Sequence, residues 1–136
     1  MSFSTEIAAS TSILKLPTIQ ESQEANLEEV GQMGMSQDGV SAPTLFGNGY
    51  RYRHDWGKLN GQHILPLNWG LITPNSYVFV AIGEGDPPLP ANGKFIGAAR
   101  YTLHNVSPQK GVVQIWVNIE WENPLRLYVD YFVFNP

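Results

Sequence analysis

The stretch Gly111-Val112-Val113-Gln114-Ile115-Trp116-Val117-Asn118-Ile119-Glu120-Trp121-Glu122-Asn123-Pro124-Leu125-Arg126-Leu127-Tyr128-Val129-Asp130-Tyr131-Phe132-Val133-Phe134 decides the fold. Its first half sets Val113, Ile115, Val117 and Ile119 against Gln114, Trp116, Asn118 and Glu120. That period of two is a strand with one face toward a core. After Pro124 the alternation resumes, with Leu125, Leu127, Val129, Tyr131 and Val133 opposite Arg126, Tyr128, Asp130, Phe132 and Phe134. Residues 120–124 are therefore the turn between two strands. Trp116, Tyr128, Phe132 and Phe134 make the second faces too apolar for plain solvent exposure, which suggests a subunit interface.

Working outward, residues 94–105 read as a third strand and 83–93, with Pro87, Pro88 and Pro90, as a long loop. Residues 76–82 are apolar nearly throughout, as a strand buried on both faces would be. Residues 63–72 are interrupted by Pro66, which predicts an edge strand or an irregular segment. Residues 56–61 read as a turn or loop. Before them Tyr50, Tyr52 and His54 alternate with Arg51, Arg53 and Asp55, and Gly47-Asn48-Gly49 reads as a turn. Short strands, regular turn signals and no convincing helix predict an all-β fold, an antiparallel β-sandwich of about six strands.

The N-terminal third is different. Of six Phe, six Tyr and four Trp, only Phe3 precedes residue 45. Residues 1–45 hold six acidic residues against Lys15, a balance of −5, and the remainder is +1, giving −4 for the chain. A segment so acidic and so poor in aromatics buries too little apolar surface to offset its ordering entropy. Residues 1–43 are read as an acidic, flexible arm and linker, and 44–136 as the folded domain. Within the arm, residues 7–16 have the β-branched content of a short strand. Residues 18–30 contain good helix formers with thin amphipathicity, so a docked helix is the alternative to a mobile segment. Residues 31–43 look like linker.

Several function classes lose support at once. Zero cysteines exclude thiolate metal sites and cysteine nucleophiles. The N-terminus lacks the basic start and apolar run of a secretory signal, and no stretch reaches membrane-spanning length. The expectation is a chain that is cytoplasmic or released by a non-classical route. A mildly acidic balance with scattered basic residues argues against nucleic acid as the main partner. His54-Asp55 and His63 have no metal-ligand spacing and read as sheet-edge or surface histidines before acid–base groups. Glu84 and Asp86 resemble a carboxylate pair, but the prolines after them favour a solvated turn. No cofactor or metal is implied, and no enzyme is expected.

The turn 120–124 carries the best functional lead. Trp121 stands between Glu120 and Glu122, with Asn123 beside them. A sugar ring asks for an apolar plane against its C–H face, with acceptors and donors for its hydroxyls. The plain alternative is that Trp121 caps the core end-on and its neighbours are a soluble turn, since tryptophan is usually highly buried.

From Ala99-Arg100-Tyr101-Thr102-Leu103-His104-Asn105-Val106-Ser107-Pro108 through Trp121-Glu122-Asn123 to Arg126-Leu127-Tyr128, the chain resembles the H-type lectins, the snail agglutinin and discoidin C-terminal family. That family runs an Ala-Arg-aromatic strand into a Val-Ser-Pro-type turn, then a strand ending in Trp and a polar residue, then a Tyr-containing closing strand. Asp55-Trp56-Gly57-Lys58-Leu59 is loosely similar to its early Trp segment, and 76–86 to its central apolar strand and following acidic position. The resemblance covers residues 54–136 and is strongest from 98 to 131. It implies a six-stranded sandwich assembled as trimers or hexamers, binding galactose or N-acetylgalactosamine glycans at subunit junctions. Trp121 matches the stacking Trp, and Glu122 stands where the family has His. Arg100 or Lys94 matches the contributing Arg. Asn60 and Gly61 lie in the loop of the family's early Gly and Asp ligands.

The reading is thus a carbohydrate-binding, lectin-like homo-oligomer with a role in cell adhesion, its sugar site Trp121, Glu122, Asn123, Arg100 and Asn60. The alternative is a non-enzymatic assembly protein, such as a tail, adhesin or toxin component, that oligomerises through its arm and last strand.

Overall fold

The computed structural model describes residues 16–25, 31–34, 46–85 and 93–136. Ten strands, and no helix, are found among them. The expectations for a strand at 7–16 and a linker at 31–43 lie mostly outside the described residues, as do Asp86 and the prolines of the 83–93 loop, and the described part of that linker, 31–34, is a strand.

Six long strands build the sandwich: β4 (Asn48–Leu59), β5 (Gly61–Asn68), β6 (Tyr77–Gly85), β8 (Arg100–Gln109), β9 (Val112–Glu120) and β10 (Leu125–Asn135). Four short ones join them: β1 (Thr18–Ile19), β2 (Gln23–Glu24), β3 (Gly31–Gly34) and β7 (Lys94–Phe95). The first sheet places β9 between β5 and β8, with β1 and β2 added on the far side of β5. The second sheet runs β3-β4-β10-β6-β7. All pairs are antiparallel except those of β1 and β2 with β5.

The alternation read in the sequence is the core. Val113, Ile115, Val117 and Ile119 of β9 are buried, facing Leu127, Val129, Tyr131 and Val133 of β10 across the sandwich, with Leu65, Leu67, Tyr52 and Trp56 completing the layer. In β8 the core positions are Tyr101, Leu103 and Val106. The spacing breaks because His104 is an extra residue: Leu103 pairs with Val117 and Asn105 with Trp116. A bulge of this kind shifts the side-chain parity by one.

Several local expectations change. Residues 94–105 are not one strand. The chain leaves the second sheet after Phe95 and enters the first at Arg100, with Ile96 and Gly97 exposed at the crossing. Val106-Ser107-Pro108 is not a turn but the end of β8, where Pro108 opposite Val113 is tolerated on the outermost strand of its sheet. The turn follows at Lys110-Gly111. Asn48 and Gly49 belong to β4 rather than to a turn. Residues 56–59 also continue β4, with Trp56 and Gly57 set against the single residue Leu127. Gly57 takes φ of 79° there, a conformation that side chains disfavour. Its N–H donates to Asp55 Oδ1 at 2.8 Å, while Arg126 Nη1 donates to Asp55 Oδ2 at 2.6 Å, so one carboxylate pins the bulge and the neighbouring strand.

Residues 76–82 are buried on one face only. Val78, Val80 and Ile82 pack on the core, while Tyr77, Phe79 and Ala81 point away from it and are exposed. No second layer lies over that side among the described residues.

The described part of the arm is extended, not helical. β1 pairs with His63 and Ile64, β2 with Leu67 and Asn68, and the ladder is interrupted at Leu65-Pro66, where proline supplies no N–H. β3 then pairs with β4 on the second sheet. The unpaired backbone groups on the β5 edge outweigh the weak helix propensity of residues 18–25, and those on the β4 edge draw 31–34, read as linker, into a strand.

Candidate functional site

Tight pairing of β9 with β8, and of β10 with β4, brings one end of each strand together at the turn 121–124. Trp121 projects there at 42 % exposure, and Glu122 and Asn123 are exposed beside it. Asn60, at the β4–β5 turn, donates from Nδ2 to the carbonyls of Trp121 and Glu122, both at 3.2 Å. Arg100 opens β8 directly opposite Glu120, with Nε 3.5 Å from Glu120 Oε2 and both side chains well exposed. The fold therefore gathers Trp121, Glu122, Asn123, Arg100 and Asn60 at one end of the sandwich. Asn60 is committed to holding the turn, whereas the other four present groups to solvent. Lys94, the alternative to Arg100, lies in the other sheet and bonds Asp130 at 2.6 Å.

The turn is tied to the arm through a histidine. Gln20 Nε2 donates to His63 Nδ1 at 2.8 Å, so His63 carries its proton on Nε2 and donates it to the Asn60 carbonyl at 2.6 Å. A second histidine works alike. His54 is buried; Nδ1 accepts from the Tyr52 hydroxyl at 2.7 Å, and Nε2 donates to Gln23 Oε1 at 2.6 Å. Trp56 packs edge-on against its ring at 4.8 Å between centroids. Neither histidine faces a cleft, and both connect the arm to the sandwich. Among the described residues no group of three or more His, Asp or Glu is placed to hold a metal.

Burial pushes the pKa of His54 below its ordinary value, and the nearby Asp55 carboxylate opposes this only in part. The unfolded chain then takes up the proton first as pH falls. Stability is complete above the unfolded value of about 6.5 and is lost as pH drops from there toward the lower folded value. A denaturant midpoint that declines from about pH 7.5 to about pH 5.5 is the expected result, with the slope flattened in His54→Gln. An unchanged slope in the variant would assign the effect elsewhere. Asp130 acts in a separate, more acidic window. Burial alone would raise its pKa, but hydrogen bonds from Arg53 and Lys94 outweigh that and hold it below the usual carboxylate value.

A broad depression lies elsewhere, on the outer face of the second sheet. It is open, about 700 Å³ in volume, and is lined by Arg51, Arg53, Phe79, Ala81, Asp130 and Phe132 side chains over the backbone of β4, β6 and β10. Much of the second-face apolar surface expected to mark an interface is already covered within the chain. Tyr128 and Phe134 are buried, and Trp116 is half-buried, its indole N–H donating to Gln62 Oε1 at 3.0 Å. Tyr128 is buried because Gly85 has no side chain: a Cβ there would stand 2.5 Å from the ring. Phe79 remains exposed and Phe132 half-buried, as a tilted pair 6.2 Å apart. Sequence reasoning recorded the alternation of Arg51 and Arg53 with Tyr50, Tyr52 and His54 but not which strands those arginines would face.

No protein-family model, no curated protein and no solved structure matches the chain.

Proposed function

We propose that the protein is a non-enzymatic carbohydrate-binding module of the H-type lectin kind, recognising galactose or N-acetylgalactosamine glycans as an oligomer. The observation that carries this reading is a tryptophan left partly bare at a hairpin tip, in a fold that buries Trp56 and Trp69. Trp121 stacks on the sugar, Glu122 and Asn123 meet its hydroxyls, and Arg100 donates. Asn60 fixes the turn's backbone from the neighbouring hairpin. Trp121, Glu122 and Asn123 stand exposed on a hairpin tip, so a single site is shallow and weak. Several sites on one rigid assembly raise avidity by roughly 10²–10⁴ where geometry permits. Screening of the intact protein on a broad glycan array, with Trp121→Ala alongside, tests the proposal. A related set of sugars retained by the wild type and lost by the variant is expected, and a blank array from folded protein would sink it.

A second reading, assembly by arm exchange, is favoured by the pairing of β1 and β2 on the β5 edge and of β3 on the β4 edge. Such short strands form equally well with the arm of another copy. The last strand contributes no edge, because β10 is paired on both sides. Removal of residues 1–34 separates the two readings. Under arm exchange the assembly falls to monomers in sedimentation. Retention of both assembly and glycan binding by the truncated chain would count against it.

A further inference from the structure

The outer face of the second sheet is basic in an acidic protein. Register places Arg51, Arg53 and Lys58 of β4, Arg126 of β10 and Lys94 of β7 on it, five of the chain's eight basic residues. Against them, among the described residues, stand Asp55 and Asp130. Both carboxylates are already used: Asp55 pairs with Arg126 at 2.6 Å, and Asp130 with Arg53 and Lys94, each at 2.6 Å. Arg51 has no ion-pair partner among the described residues, and it borders the depression floored by Phe79 and Phe132. Surplus positive charge beside a partly exposed aromatic floor selects an anion that also has an apolar face.

We infer that this face is a second binding site, for an acidic saccharide bearing carboxylate or sulfate groups, separate from the Trp121 turn. Arg51 supplies the flat two-pronged donor that such groups take. Arg53 stands two residues along the same strand, about 6.8 Å away, within reach of a neighbouring sugar unit. Phe79 is 63 % exposed and meets Phe132 at an interplanar angle of 37°, so the two rings form one inclined trough. A puckered ring with projecting C–H groups fills such a trough. Successive flat bases need separate parallel platforms, which argues for sugar over single-stranded nucleic acid. The open shape suits an extended chain rather than an enclosed small molecule.

Calorimetric titration of the full chain with an oligogalacturonate, a heparin-derived octasaccharide, neutral maltooctaose and an oligothymidylate tests the inference. Binding of one or both acidic saccharides is expected; the first alone identifies carboxylate as the recognised group, and the second alone identifies sulfate. Affinity should fall about tenfold or more between about 50 and 500 mM salt. Arg51→Glu, an exposed change that leaves the fold intact, should weaken binding at least about tenfold, and Phe79→Ala should weaken it measurably. Trp121→Ala should leave it unchanged, so failure here and failure of the lectin reading are told apart. Equal binding of maltooctaose, tighter binding of the oligonucleotide, an indifferent Arg51→Glu, or no binding at all would overturn the proposal.

Discussion

Trp121→Ala is expected to abolish retention on the glycan array while leaving the melting temperature almost where it was. The side chain is 42 % exposed at the tip of a hairpin, and it is absent from the buried core. What holds the turn in place is backbone: Trp121 N–H donates to the Ile119 carbonyl at 3.1 Å, and Asn60 donates to the carbonyls of Trp121 and Glu122. Alanine keeps all three bonds. Surface changes of this kind stay within about 0.5 kcal/mol, or about 2–4 °C for a domain this size. A stacking residue at the centre of a small site, by contrast, can carry about 2 kcal/mol or more of binding, and in a multivalent assembly each site loses it. A melt lowered by ten degrees or so would instead identify Trp121 as a core residue and remove the sugar site.

Trp69→Ala is expected to have the opposite outcome, unfolding or nearly unfolding the protein without any direct effect on the turn. Trp69 is 2 % exposed and packs edge-on against Tyr52 at 5.8 Å. It also stands where the chain closes one end of the sandwich. Its N–H donates to the Gly111 carbonyl, its carbonyl accepts from Ile72, and Gly111 donates to the Ile72 carbonyl, all within 3.0 Å. Deleting the indole leaves a cavity among Tyr52, Ile72 and the β9 core. The loss is about 3–5 kcal/mol, comparable with much of the stability of a domain this small and free of disulfides. Urea titration reads it directly. Trp69→Phe should recover most of the loss, because the buried indole Nε1 has no hydrogen-bond partner among the described residues and phenylalanine removes that group. A Trp69→Ala midpoint close to that of the wild type would show that the sandwich end is not closed by this side chain.

These two tryptophans mark the limit of what composition reveals. Both sit just past a strand, and their neighbours differ, Leu67, Leu71 and Ile72 around the one and Glu120, Glu122 and Asn123 around the other, but the usual burial of tryptophan left both open to a core reading. Trp69 is buried because Gly111, 42 residues away, bonds its backbone and brings the β8–β9 turn over it. Trp121 is open because the turn nearest to it, at Asn60, supplies an amide and no covering side chain.

The sequence by itself determined the fold class and the inward faces of β9 and β10. Side-chain period in a strand is a local property, and eight alternating residues define it before any partner is chosen. It also placed Trp121, Glu122 and Asn123 on one turn, and aligned Arg100 and Asn60 with it only by resemblance. Tertiary pairing decided the rest. Parity assigns Arg51 and Arg53 to one side of β4, but only their register with Phe132 and Asp130, some eighty residues on, sets them beside an aromatic trough. Within residues 18–25, read for their helix formers, two short strands formed beside β5, and 31–34, read as linker, became a strand beside β4, because those strands offered open edges that no local propensity could anticipate. Charge scattered along the chain became a basic face for the same reason: strand neighbours are chosen by long-range backbone hydrogen bonding and core burial, which sequence order does not record.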